Sequence, residues 1–133
     1  MPPLKEARIL PADWFLFLEN PGVSLDRPGL YEWQIDGAGS YIGKYKRIGR
    51  PKAEYGRNVQ RILSGEPYRR SKPHGFRRVH RELAKAWLEG RKITLIIIEN
   101  ADPHAINARE HELIVERGAL NDPPFGLRKA STM

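Results

Sequence analysis

The chain of 133 residues contains no cysteine, and it has no apolar run as long as a signal peptide or a membrane span requires. The missing cysteines exclude disulfide scaffolds, thiolate zinc sites, iron–sulfur clusters and cysteine nucleophiles. The longest apolar run near the start, Trp14–Leu18, ends at Glu19 after five residues. We therefore expect a cytoplasmic protein with no membrane partner, in which any metal ion is bound by oxygen or nitrogen ligands.

Acidic residues are scarce in one part of the chain. Between Lys44 and Arg81, a stretch called the basic segment below, there are 13 Lys and Arg but only Glu54 and Glu66. The rest of the chain has 10 basic and 14 acidic residues, so the net charge of +7 comes from this segment. Clustering of one sign favours a polyanionic partner such as nucleic acid over a uniformly basic, solvated surface.

The hydrophobic pattern predicts an antiparallel hairpin in the first half of the chain. Residues alternate from Leu30 to Ile35, which is typical of a half-buried strand. Asp36-Gly37-Ala38-Gly39 is typical of a hairpin turn, and Tyr41-Ile42-Gly43 continues as the second strand. Before this hairpin, Asp13 is a candidate cap for a short helix over Trp14–Leu18.

Three helices and a third strand are predicted after the hairpin. Apolar residues recur at helical spacing after Pro51 as far as Leu63, and again from Phe76 to Gly90. The β-branched run Ile93–Ile98 predicts a buried strand, and Asp102-Pro103 predicts the start of a helix that ends at Arg117. The resulting division is a leader with a short helix (1–27), one folded domain (28–122) and an irregular tail (123–133).

Glu110 lies in an unexpected place on the last helix. At 100° per residue it falls inside the apolar stripe with Leu113 and Ile114, whereas Glu112 and Glu116 fall outside it. An ionised carboxylate against a core is costly unless it is paired, protonated or bound to a cation. Asn107-x-x-Glu110 also has the spacing of a capping box, so spacing alone leaves capping and a functional role open.

The hairpin and the last helix together resemble a known family. Gly29-Leu30-Tyr31 and Tyr41-Ile42-Gly43, followed by Lys44, resemble the paired tripeptides of the GIY-YIG nuclease superfamily, with Leu30 in place of isoleucine. The likeness continues in order through the helices to Glu110 and to Leu120-Asn121, and it covers roughly residues 28 to 122. It implies an α+β domain with a small three-stranded antiparallel sheet flanked by helices.

The resemblance also implies a set of site residues. It aligns Tyr31 and Tyr41 with catalytic tyrosines and Glu110 with the ligand of one Mg²⁺ or Mn²⁺ ion. Family members usually carry an arginine where this chain has Asn58; of the flanking arginines, Arg57 is favoured for the catalytic role. Together with the basic segment, the resemblance predicts nucleic-acid contacts at Lys44, Lys46, Arg47, Arg61, Arg69, Arg70, Lys72 and Asn121. Strict strand alternation places Lys44 opposite Tyr41, so that it reaches the site only if the strand bends after Gly43.

The function that this resemblance implies is metal-dependent endonucleolytic cleavage of DNA. The first alternative is a catalytically degenerate module of the same fold that binds nucleic acid, which Asn58 favours. A toxin-like or partner-dependent subunit is a second alternative. His80, in the middle of an apolar helix face, and Tyr55 are expected to be packing residues.

Overall fold

The computed structural model describes residues 9–121. This part of the chain folds into four strands and three helices. In chain order they are β1 (Leu16–Glu19), β2 (Gly29–Ile35), β3 (Gly39–Tyr45), α1 (Gly49–Leu63), α2 (Arg78–Leu88), β4 (Ile93–Asn100) and α3 (Ile106–Glu116).

The strands form one mixed sheet in the order β1-β4-β2-β3. The predicted hairpin is confirmed, because β2 pairs antiparallel with β3 and Trp33 faces Tyr41 across it. β2 also pairs antiparallel with β4, and β1 adds to β4 in parallel. The prediction of an α+β protein with a small sheet flanked by helices is therefore confirmed. The strand count is corrected from three to four, and the sheet is partly parallel.

The fourth strand replaces the short helix predicted over Trp14–Leu18. A five-residue apolar run carries too little periodicity to separate a helix from a strand. Leu16 and Leu18 are exposed while Phe17 is half-buried, which is the two-residue repeat of a strand. β1 pairs along β4, where its backbone groups find hydrogen-bond partners that an isolated helical turn would lack.

The helices cover the two faces of the sheet. α1 and α2 pack on the face that carries Trp33 and Leu95, through buried side chains such as Val59 and Leu83. α3 packs on the opposite face, where Leu113 meets Leu30, Ile42 and Ile98. Because β3 is an edge strand, side chains from the helices on both faces of the sheet can meet beside its open edge.

The three predicted helices are confirmed, with small changes at their ends. α3 begins at Ile106 rather than at Pro103, because the carbonyl of Asp102 first accepts hydrogen bonds from the amides of Ala105 and Ile106 in a turn. No helix within residues 9–121 is long and apolar enough to cross a bilayer. The predicted tail and the first eight residues of the predicted leader lie outside the described residues.

Candidate active site

A cleft of about 540 Å³ opens at the edge of the sheet beside β3. Side chains from both faces of this edge strand line it, Tyr41 from one face and Ile42 and Lys44 from the other. Lys44 therefore reaches the cleft although it points to the face opposite Tyr41, and no bend after Gly43 is needed. The cleft is closed on one side by α1 and the start of α2, and on the other by α3.

Gly43 lets Tyr31 reach this cleft. The two residues face each other across the β2–β3 pair, and a Cβ built on Gly43 would overlap Cζ and Oη of Tyr31. The tyrosine ring thus lies over the bare backbone of the edge strand and brings its hydroxyl to the cleft. Gly29 and Tyr45 repeat the arrangement, since a Cβ on Gly29 would lie 2.7 Å from the Tyr45 hydroxyl.

One arginine and three tyrosine hydroxyls form a chain of hydrogen bonds in the cleft. Arg77 donates from Nη1 to Tyr41 Oη at 3.2 Å and from Nη2 to Tyr55 Oη at 3.1 Å. The hydroxyls of Tyr31 and Tyr55 share a further hydrogen bond of 2.6 Å. Because a guanidinium only donates, Tyr41 and Tyr55 accept from it, and either Tyr31 or Tyr55 can be the donor of the bond between them.

Burial strongly affects the protonation of the hydrogen-bonded residues Tyr31, Tyr55 and Arg77. It raises the pKa of Tyr31 well above that of a free tyrosine, and the neighbouring Tyr55 raises it further. Burial also raises the pKa of Tyr55, against the opposing charge of Arg77. Burial by itself would lower the pKa of Arg77, but the oxygens of the tyrosines around it outweigh that effect and raise it. At neutral pH the free protein therefore holds two buried phenols and one guanidinium cation.

His80 fixes the backbone from which Arg77 extends. Arg77 is the N-cap residue of α2, with φ −76° and ψ 160°, and its amide donates to His80 Nδ1 at 3.2 Å. His80 Nε2 lies 3.3 Å from the side-chain amide of Asn58. Burial, followed by the charges of Arg77 and Arg81, lowers the pKa of His80 to about 4, so the ring is neutral. His80 is buried, as predicted for a packing residue, and it also orients Arg77.

Glu110 faces the cleft from α3. It is half-buried, and burial raises the pKa of its carboxyl while Lys44 partly offsets this effect. The capping-box alternative is not supported, because the N-cap residue is Ala105 and no side-chain cap bond is formed there. Asn107 Oδ1 accepts instead from Lys44 Nζ, one helical turn before Glu110.

Five of the predicted residues line the cleft: Tyr31, Tyr41, Lys44, Glu110 and Asn121. The last of these has backbone partners. Asn121 Nδ2 donates to the Ile42 carbonyl at 2.8 Å, and its Oδ1 accepts from the Ile42 amide at 3.4 Å. The side chain therefore completes the open edge of β3 next to the cleft, and its contact with nucleic acid stays a prediction.

Arg57 is not in this cleft, and the expectation that its guanidinium would converge with the tyrosines is wrong. It follows Tyr55 by two residues in α1, which places it about 200° round the helix from the side that faces the cleft. Arg57, Arg61 and Arg69 line a separate concave site. The remaining predicted nucleic-acid contacts are exposed in the loops after β3 and after α1, at Lys46, Arg47, Arg70 and Lys72.

Sequence reasoning missed Arg77 and the hydroxyl contacts of Tyr55. Arg77 contacts partners 36 and 22 residues away, and no local pattern distinguishes it from the other basic residues around it. Tyr55 does occupy the apolar stripe of α1 and is buried, as predicted. Its hydroxyl partner could be found only from the tertiary fold.

The donor set of the cleft fits a magnesium ion that is held mostly by water and substrate. Within residues 9–121 no group of three or more His, Asp or Glu side chains is placed to hold a metal. Mg²⁺ commonly keeps several waters and uses one or two carboxylates together with phosphate oxygens. Glu110, a carboxylate whose charged form is disfavoured by burial, would be stabilised by such a cation.

Comparison of the chain with protein-family models, with curated proteins and with solved structures gives no match. The cleft itself is therefore the basis for a functional conclusion.

Proposed function

We propose that this protein is a divalent-metal-dependent endonuclease of the GIY-YIG type that hydrolyses phosphodiester bonds in DNA. The observation that carries the proposal is the convergence of two tyrosines, an arginine and a half-buried carboxylate in one cleft. Tyr31, Tyr41, Arg77 and Glu110 come from separate segments of the chain and line the same cavity. The resemblance of the hairpin tripeptides and the late glutamate to that family supports the same assignment.

Each residue has a role that its environment allows. Arg77 donates towards the cleft edge and would stabilise negative charge on the phosphate that is attacked. This is the role that the sequence assigned to Arg57. Tyr41 and Arg77 would together position that phosphate. A Mg²⁺ or Mn²⁺ ion on Glu110 would neutralise charge on the scissile phosphate and on the leaving oxygen.

Tyr31 is the candidate contact for the attacking water. The Tyr55 oxygen can accept from Arg77 and from Tyr31 at once, so either tyrosine can donate in the bond between them, and Tyr31 brings one phenolic hydrogen to the cleft. The raised pKa of Tyr31 means that it holds this hydrogen in the free protein. For Tyr31 to take a proton from the attacking water, its own hydrogen must first pass to another water molecule in the cleft, and the positive charge of Arg77 favours that loss.

A binding module with no catalytic activity is the second candidate. Two observations favour it: Asn58 stands where the family usually has an arginine, and the two buried tyrosines are both protonated in the free protein. The two candidates differ in one assay, which is cleavage of supercoiled plasmid by the purified protein with Mg²⁺ or Mn²⁺. Metal-dependent nicking supports the nuclease, and binding without nicking supports the module.

The variant Glu110→Gln separates catalysis from folding. We expect it to lose cleavage, because an amide oxygen is a poor replacement for a carboxylate on Mg²⁺. Its melting temperature at neutral pH should equal or exceed that of the parent, since the raised pKa of Glu110 shows that its charge opposes folding. Glu116→Gln, on the exposed side of the same helix, is the matched control and should behave as the parent.

Metal binding can be measured independently of DNA cleavage, through the melting temperature. A ligand that binds only the folded state raises its stability, so Mg²⁺ should raise the melting temperature of the parent and of Glu116→Gln. The same addition should leave Glu110→Gln unchanged. An equal shift in all three proteins, or full cleavage activity in Glu110→Gln, would exclude Glu110 as the ligand.

A further inference from the structure

A second concave site of about 280 Å³ lies along α1. Every side chain that lines it carries a polar group. These residues are Glu54, Arg57, Asn58, Arg61, Tyr68 and Arg69, and Glu54 lines the tyrosine cleft as well. The two sites are therefore neighbours along α1.

Positive charge dominates this second site, called the arginine site below. Three arginines face one glutamate. Arg61 Nη1 donates to Asn58 Oδ1 at 3.3 Å, and the guanidinium of Arg69 lies 5.0 Å from the centre of the Tyr68 ring. Within residues 9–121, the structure shows no ion pair between any of the three arginines and a carboxylate. The lining of the site is therefore positively charged on balance, which favours an anion.

The loop that contributes Tyr68 and Arg69 is held in place by packing. The Tyr68 ring meets Phe76 edge-on at 5.4 Å and stacks on His80 at 6.5 Å. A Cβ on Gly75 would lie 2.7 Å from Tyr68 Cδ2, so the backbone at Gly75 is pressed against the ring. The backbone of Tyr68 also donates to the Pro73 carbonyl at 3.1 Å. Arg69 is thus presented by a folded loop beside the two arginines of α1.

We propose that the arginine site binds a phosphate group of the nucleic-acid strand whose scissile phosphate occupies the tyrosine cleft. Arginine donors match the oxygens of a phosphate in geometry and charge, and such contacts fix the register of a strand without reading its bases. The identity of the bound strand rests on the proposed function, whereas the affinity of the site for phosphate does not. Asn58, which connects Arg61 with His80, links this site to the residue that orients Arg77.

The test is the double variant Arg57→Met/Arg61→Met, measured by fluorescence anisotropy with a labelled DNA duplex over a range of salt concentrations. Each lost phosphate contact should weaken binding roughly tenfold and reduce the salt slope by about 1. The control Lys85→Met/Lys92→Met removes two positive charges outside both concave sites and should leave affinity and slope near those of the parent. Arg69→Met changes the loop and leaves α1 intact, so it checks that the effect does not come from misfolding of the helix. This single substitution should also reduce the salt slope.

Inorganic phosphate separates a strand contact from a site for free phosphate. We expect added phosphate to shift the NMR signals of the arginine Nε–H groups at Arg57, Arg61 and Arg69, and to compete with DNA. Shifts without any loss of DNA affinity in the double variant would overturn the strand contact. No shifts and no loss of affinity would overturn the site altogether. If the parent binds DNA with the expected slope but never cleaves it, the nuclease proposal fails and the arginine site stands.

Discussion

Because Gly43 has no side chain, the ring of Tyr31 can lie over the edge strand and reach the cleft. In Gly43→Ala the new methyl group would occupy the space of the Tyr31 ring. Overpacking of this kind costs about 1–3 kcal/mol, and the displaced ring can no longer present its hydroxyl beside that of Tyr55. We expect a lower free energy of unfolding in urea and loss of any cleavage activity.

Gly56→Ala is the matched control, because it makes the same substitution where space exists. Gly56 lies inside α1, and a Cβ there would meet only Trp14 Nε1 at 3.6 Å, an ordinary contact. Replacing a helix-interior glycine by alanine should raise the free energy of unfolding by about 0.5–1 kcal/mol. If Gly43→Ala is as stable as Gly56→Ala, Tyr31 does not lie over the glycine backbone.

Single residues also show where sequence reasoning succeeds and where it stops. Glu110 could be predicted because a carboxylate interrupts an apolar helical stripe, whereas Tyr31 was found through the resemblance of its tripeptide to a known family. Arg77 could not be predicted, because its identity as the cleft arginine depends on three hydroxyls brought together by the fold. Arg57 was chosen because it flanks Asn58, where the family that the chain resembles usually has an arginine, and the helical phase of α1 contradicts that choice.

At the scale of elements, α2 depends on a neutral histidine at its start. The pKa of His80 is about 4 in the folded protein and near 6.5 in the unfolded chain. The contribution of neutral His80 to the free energy of unfolding is therefore complete above pH 6.5. That contribution falls as the pH drops from 6.5 towards 4, because the unfolded chain then binds the additional proton. The total loss over this interval is about 3 kcal/mol.

The variant His80→Gln tests this dependence. Glutamine is favoured at this third helical position, where its side-chain oxygen accepts from the N-cap amide. We expect its free energy of unfolding to change less than that of the parent between pH 6.5 and 4. His104→Gln, at an exposed position, should keep the slope of the parent. Parallel pH profiles for the parent and His80→Gln would mean that His80 is not buried in its neutral form.

All helices and strands except β1 were predicted from the sequence, and the length and pairing of the elements explain the difference. The helices α1 and α2 and the hairpin carry enough repeats of 3.6 or 2 residues to be recognised from the chain alone. β1 has four residues, and its strand conformation comes from pairing with β4, which lies far away in sequence. Parallel pairing with a distant strand leaves no local signal, so the position of β1 could be found only from the structure.

At the scale of the whole molecule, charge is divided between the basic segment and a remainder that is slightly acidic. The tyrosine cleft and the arginine site both draw residues from the basic segment, Lys44 and Arg77 in the first and Arg57, Arg61 and Arg69 in the second. Under the proposed function, these residues would attract a polyanion and hold it beside Glu110. If this division of charge determines binding, DNA affinity depends more on where a positive charge lies than on the net charge of the protein.

Two triple variants with the same net charge test this point. Arg69→Glu/Arg70→Glu/Lys72→Glu and Arg27→Glu/Lys85→Glu/Lys92→Glu each lower the net charge from +7 to +1. Phosphate contacts release counterions, so the first variant should lose most of its DNA affinity at low salt and show a salt slope that is shallower by up to about 3. The second should bind nearly as the parent does, because its changes lie outside the basic segment. Equal losses in both variants would show that a diffuse field drives binding, and no loss in the first would show that this loop is a solvated surface.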